Sequence, residues 1–293
     1  MLDKRGRIEN LIEQLTALEK DLETLDERIR DKASGQMVRA REEIIDLLLL
    51  ALKEGDVTAR RGAAYGLGKL RDRRAIPALV YALNDEDDSV RGWAAEALGL
   101  LGDKGAIAPL IQALKDPNPY VGYSVSTSLK RIIDQGDIAP LVEALKNPER
   151  NIRRRVAKLL GELRDGRAVP ALMSLVGDED RGVRYEAVEA LRRIGDHRAV
   201  DSLIMALGDE CRDIRYSAIQ ALRGFGNRRA VEPLVRLCFE DEELRFHALH
   251  ALRAICGDDA VRPVVSALEE VRNLVGITAA RVLAQGELHR ASG

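Results

Sequence analysis

The chain has 293 residues, 46% apolar but only 3% aromatic. Its interior must therefore be built from Ala, Leu, Val and Ile, which suits many thin helix seams better than one thick globular core. The 46 basic and 48 acidic residues leave a net charge of −2, which argues against a domain devoted to gripping duplex nucleic acid, where phosphate neutralisation supplies most of the affinity.

Residues 6–33 come first. Ile8, Leu11, Leu15, Leu18, Leu22, Leu25 and Ile29 form an a/d series at 3.5-residue spacing among charged residues, at the lower edge of what a coiled coil requires. Two readings stay open: a helix that makes a homodimer through residues 6–33, or a helix that caps the exposed end of the array behind it. Ser34–Gly35 is expected to break this helix. Residues 36–54 then carry a lone helix whose Ile45, Leu48 and Leu52 match a stripe repeated downstream as Ile76, Leu79 and Leu83.

From there one pattern recurs every 31 residues. Its anchor falls at Val90, Val121, Ile152, Val183, Ile214, Leu244 and Val275, with Ala59 at the corresponding earlier position, and a Leu stands eight residues after each. Counting the anchor as zero, apolar residues at 0, +4, +7/+8 and +11 form one helical stripe. Asp56, Asp87, Asn118, Asp180 and Asp241 at −3 are good N-caps. Gly102, Gly195 and Gly226 at +12 suit a left-handed helix stop. A second helix follows, with prolines such as Pro77, Pro140 and Pro170 in its first turn. Small residues at +4 (Ala63, Ala94, Ala187, Ala218, Ala248, Ala279) let neighbouring helices come close.

A fixed period of this length means stacked helix pairs. The expected fold is all-α, a right-handed α-α superhelix of about seven helix pairs plus terminal helices. The expected organisation is a heptad helix at 1–35, the array at 36–287 with a last helix near 273–285, and a polar tail at 288–293. Val90-Arg91, Ala94-Ala95, Ala97-Leu98-Gly99, Leu101-Gly102-Asp103 and Ala168-Val169-Pro170-Ala171-Leu172, with their equivalents, carry a resemblance. The chain resembles the HEAT-repeat family, in the short 31-residue form first associated with phycobilin lyases, over about residues 44–285. That resemblance implies the solenoid fold and supplies no catalytic residue.

Two charged series recur with the repeat. Arg at +1 (Arg60, Arg91, Arg153, Arg184, Arg215, Arg245) and Asp at +13 (Asp72, Asp103, Asp134, Asp165, Asp196, with Asn227) are read as a structural ladder joining neighbouring repeats by charge-assisted bonds. Gly122 and Gly276 interrupt the arginines, so the third and last repeats are expected to be looser.

Function is sought on the face the core does not need. Helix geometry puts −1, +2, +3, +6 and +10 opposite the stripe, and there stand Tyr65, Trp93, Tyr120, Tyr123, Tyr185, Tyr216 and Phe246. In similar HEAT-like arrays this helix lines the concave side. Amphipathic rings concentrated there are what a protein-recognition surface looks like. Arg154, Arg155 and Lys158 make its middle basic, suited to an acidic or amphipathic partner segment, while His247 and His250 complete the candidate binding set. Acidic residues such as Glu96, Glu162 and Glu189 interrupt the basic run and disfavour a nucleic-acid track.

Catalytic signals are weak. Two histidines one turn apart lack a convincing third ligand. Deoxyhypusine hydroxylases resemble this fold but rely on His-Glu dyads, and none of His197, His247, His250 or His289 is followed by Glu. The three cysteines (Cys211, Cys238, Cys256) lack C-x-x-C spacing. The longest apolar run, Ile44 to Leu52, contains Asp46 and is too short for a bilayer. The expectation is a cytoplasmic, non-enzymatic interaction scaffold without cofactor, metal or membrane partner. The resemblance leaves an alternative, a bilin chromophore lyase or its chaperone.

Overall fold

In the computed structural model, residues 27–133, 136–258, 261–267 and 269 are described, and every regular element among them is helical. In chain order they are α1 (Glu27–Glu54), α2 (Val57–Leu70), α3 (Ile76–Ala82), α4 (Asp88–Leu101), α5 (Ile107–Ala113), α6 (Pro119–Ile133), α7 (Ala139–Ala144), α8 (Arg150–Leu163), α9 (Val169–Ser174), α10 (Arg181–Ile194), α11 (Val200–Ala206), α12 (Arg212–Phe225), α13 (Val231–Glu240) and α14 (Arg245–Cys256). Long even-numbered helices alternate with short odd-numbered ones after α1. The all-α array of helix pairs is the one the 31-residue period predicts. Most of residues 6–33, the helix at 273–285, Asp134, Gly276 and the tail lie outside the described residues.

The chain divides into two compact units after Leu159. In the first, α1 packs on α2, α2 on α4, and α4 on α6, with α3 and α5 flanking α4 and α6. In the second, α10 packs on α12 and α12 on α14. The repeat residues explain both. The Leu at +8 (Leu67, Leu98, Leu129, Leu160, Leu191, Leu222) is fully buried in every described repeat but the last, where Leu252 is nearly so, and the described alanines at +4 (Ala63, Ala94, Ala187, Ala218, Ala248) are buried as well. Gly68 and Gly161 lie where a Cβ would strike Ala97 and Ala190 of the next long helix. Close approach is what forces glycine there.

Helix ends follow the sequence closely. Asp56, Asp87 and Asp180 accept from the N–H three residues on, at 2.8, 3.0 and 3.1 Å. Gly102, Gly195 and Gly226 stop their helices with φ of 66°, 76° and 63°. Arg71 and Arg164 hold the same left-handed position at 51° and 53°, where a Cβ is unwelcome. Cys211 occupies an N-cap and makes no side-chain capping bond.

Three expectations are corrected. First, Ser34–Gly35 does not break the helix: α1 runs 28 residues through both. Second, the ladder exists with different rungs. The Asp at +13 caps a short 3₁₀ turn before the second helix, as Asp165 does by accepting from the Arg167 N–H. Its lone pairs are spent locally. The arginine instead reaches the carboxylate at −5 of the next repeat: Arg60 to Asp85 at 3.0 Å, Arg91 to Asp116 at 2.6 Å and Arg184 to Asp209 at 2.7 Å. Arg215 meets Asp241 at 3.0 Å. These guanidinium groups also donate to backbone carbonyls of their own leading turns, as Arg184 does to Asp178 and Glu179.

Third, the repeat containing Gly122 is not left open. Arg155, from the following repeat, lies over Gly122 and donates to the Leu114 and Asp116 carbonyls at 2.6 and 2.9 Å.

Candidate functional site

The face opposite the core stripe is described unit by unit. In the first unit, α2 and α4 present Tyr65 and Trp93, whose rings meet edge to face with centroids 5.1 Å apart and planes at 84°. The Lys69 ammonium lies 5.2 Å from the Tyr65 ring centre. Tyr120 begins α6 and lies against Gly92, filling the space a Cβ would take there. These three rings tie successive long helices together while keeping one edge in water. Tyr123 is different: one turn further along α6, it is 72% exposed.

The basic patch on α8 is smaller than expected. Arg154 and Lys158 are exposed. Arg155 is not available in the same way, because its guanidinium is turned inward onto the Leu114 and Asp116 carbonyls. Burial, and then the neighbouring Arg154 charge, lower its pKa from the usual arginine value. Arg155 is therefore a structural residue rather than a ligand-facing one.

In the second unit, Tyr185 on α10 and Tyr216 on α12 wall an open cleft of about 460 Å³ that Glu189, Arg192, Asp213, Ser217 and Gln220 complete. Glu189 is buried, and Arg192 donates to it at 2.8 Å. Burial works to raise the Glu189 pKa, but hydrogen bonds from Arg192 and Ser217 outweigh it and hold the carboxyl below its ordinary value. In the sequence alone, Glu189 stands out only as an interruption of a basic run. Its place at +6, the position of Tyr65, was the available sign that it shares the face.

The remaining candidates gather on α14. Phe246 is 71% exposed. Its ring lies 5.8 Å from His247 and 6.4 Å from His250, and His247 meets Tyr216 edge to face at 4.8 Å. The Nδ1 of His250 is 3.2 Å from an Arg223 nitrogen. The histidines are thus embedded among rings and a guanidinium. Among the described residues there is no group of three or more His, Cys, Asp or Glu placed to hold a metal ion, and no helix is long and apolar enough to cross a membrane. Cys238 is buried, which pushes its thiol up to about 11.

Stacked pairs of this geometry find their counterpart in a known family. The HEAT repeats family model matches residues 15–91, 45–130, 77–154, 138–223 and 203–284. The chain belongs to the HEAT-repeat family. No curated protein gives a significant match. Solved structures similar to this HEAT-repeat chain include the complex of CpcE and CpcF of phycocyanin lyase from Nostoc sp., at 22% identity over 74% of this chain and 94% of that one, with a TM-score of 0.37. Human deoxyhypusine hydroxylase in complex with glycerol is similar at 22% over 84% and 97%, with a TM-score of 0.37. Importin beta is similar at 16% over 79% and 38%, with a TM-score of 0.51. Likeness at these identities concerns the fold alone.

Proposed function

We propose that this HEAT-repeat chain is a non-enzymatic interaction scaffold that binds a partner protein through the outward face of its long helices. One observation carries the reading. Tyr123, Tyr185, Tyr216 and Phe246 share the +2 repeat position, and all four are exposed where the core stripe asks nothing of them. Large rigid rings carried on packed helices offer contact area at low entropic cost, and such residues dominate interface energetics. One repeat on from Tyr123, the exposed Arg154 and Lys158 favour an acidic or amphipathic segment.

The experiment is affinity capture with the intact chain, followed by titration of the captured partner. Replacing Tyr123 or Phe246 with Ala is expected to cost about 2 kcal/mol each in partner affinity, roughly thirtyfold. Gln112→Ala and Glu143→Ala, on short helices, serve as controls and change nothing. Binding that ignores both ring variants overturns the reading. Saturable binding of a free linear tetrapyrrole, abolished by the same variants, would favour the chromophore-lyase alternative instead.

A further inference from the structure

Neighbouring long helices leave a gap between them on the outward face, and side chains plug it. Trp93 of α4 meets Tyr65 of α2 edge to face. Tyr120 of α6 lies where a Cβ at Gly92 of α4 would point, and Arg155 of α8 does the same over Gly122 of α6. His247 of α14 meets Tyr216 of α12. All four plugs come from −1 or +3 of their repeat. Between α10 and α12 those positions are Asp213 and Ser217 on α12. Asp213 is exposed and Ser217 is short, so the cleft of about 460 Å³ stays open.

Its lining has a definite chemistry. Tyr185 and Tyr216, 37% and 40% exposed, line it from α10 and α12. Glu189 and Arg192 are bonded to each other at 2.8 Å and cancel as charges, and Glu189 also accepts from Ser217. Arg212, next to Asp213 in sequence, is engaged by Glu243 at 3.0 Å. Two polar groups of the cleft remain unspent: among the described residues, the side chains of Asp213 and Gln220 have no hydrogen-bond or ion-pair partner. The cleft thus offers two rings, one amide and one unpaired negative charge.

We propose that this cleft holds the guanidinium group of an arginine presented by the partner protein, between the two tyrosine rings and on the Asp213 carboxylate. The assignment rests on the scaffold reading, whose partner supplies the arginine. A planar guanidinium stacks on aromatic faces and meets a carboxylate with two parallel N–H donors. It is more weakly hydrated than an ammonium, so entering the cleft costs it less than it costs a lysine. An anion would meet the unpaired Asp213, while Arg192 is already spent on Glu189. The source follows from the shape. A free small molecule binds where most of its surface is enclosed, whereas a side chain anchored by the rest of a partner fits an open cleft. Asp213 also complements the N-terminus of α12, a purely structural role that stability and binding measurements separate from this one.

Titration of the full chain with the capped tripeptide acetyl-Gly-Arg-Gly-amide, followed by NMR chemical shifts, tests it. Saturable shifts at Tyr185, Tyr216 and Gln220 are expected at millimolar peptide. Asp213→Asn should weaken binding about tenfold while the melting temperature hardly moves, because the residue is exposed. Ser217→His supplies the plug that His247 provides on α14 and should abolish binding. Ser217 is buried, so circular dichroism checks the fold of that variant, and Asp213→Asn decides alone if the fold is lost. The lysine tripeptide should bind several-fold more weakly, the glutamate tripeptide not at all, and free arginine no more tightly than the capped peptide. Absence of saturation, equal binding of the lysine or glutamate peptide, tighter binding of free arginine, or indifference to Asp213→Asn each overturns the proposal. Normal partner capture without tripeptide binding sinks this assignment alone. Tripeptide binding with capture indifferent to Tyr123→Ala and Phe246→Ala sinks the scaffold reading instead.

Discussion

The second and third repeats solve the same problem by different routes. In the second, Arg91 pairs with the Asp116 carboxylate and donates to the Asp85 and Glu86 carbonyls of its own leading turn. In the third, the matching position is Gly122, and Arg155 of the fourth repeat reaches back to the Leu114 and Asp116 carbonyls. The acid across from Gly122 has changed too. Where Arg60, Arg91 and Arg184 face Asp85, Asp116 and Asp209, the corresponding position is Asn147. All of these residues cap the turn two residues on, as Asn147 does for the Glu149 N–H at 2.9 Å. Only those opposite an arginine carry charge. A buried carboxylate without its guanidinium would be costly, so the amide keeps the capping bond and drops the charge.

The largest expected effect follows from that comparison. Arg91→Ala or Arg184→Ala should cost about 3 kcal/mol in urea unfolding, because each leaves a buried carboxylate unpaired. Equal loss of partner binding at unchanged stability would show that the ladder is a site and not a frame.

Arg155→Ala should cost less, about 1–2 kcal/mol, since it strands carbonyls and no charge. The triple variant Gly122→Arg/Asn147→Asp/Arg155→Ala rebuilds the regular rung and should recover most of that loss. Failure to recover would mean that Arg155 is held for another reason.

The two kinds of ring can be separated next. Tyr65→Ala gives up its edge-on contact with Trp93 and should lower stability by about 1 kcal/mol or somewhat more, whereas Tyr123→Ala should stay within about 0.5 kcal/mol. Comparable losses would make Tyr123 inter-helix padding.

Acid sensitivity is a smaller effect with a definite sign. Arg61 holds Asp87 down from 3.8 to about 2. A lowered carboxyl contributes stability above its unfolded value, and that contribution disappears as pH falls from near 4 toward 2. Arg61→Gln should flatten this part of the acid limb. The smallest change goes the other way: Arg71→Gly and Arg164→Gly, at φ of 51° and 53°, should each stabilise by about 0.5–1 kcal/mol.

The sequence by itself determined the array. Stripe, caps and helix stops are local properties of one 31-residue unit, so Leu98, Asp87 and Gly102 each announce their role by position. It also marked the ring-bearing face, since Tyr123 and Phe246 are conspicuous where a core needs nothing. Tertiary structure decided the rest. Which carboxylate an arginine meets depends on how one repeat sits on the next, and the Asp at +13, already spent on its own turn, could not be told from the Asp at −5 by spacing. Arg155 looked like part of a basic patch because its neighbours Arg154 and Lys158 are. Only the missing side chain at Gly122, on the long helix of the preceding repeat, opens the space that draws it inward. The Ser34–Gly35 pair shows the same limit: each residue disfavours helix only weakly, and the long helix around them prevails.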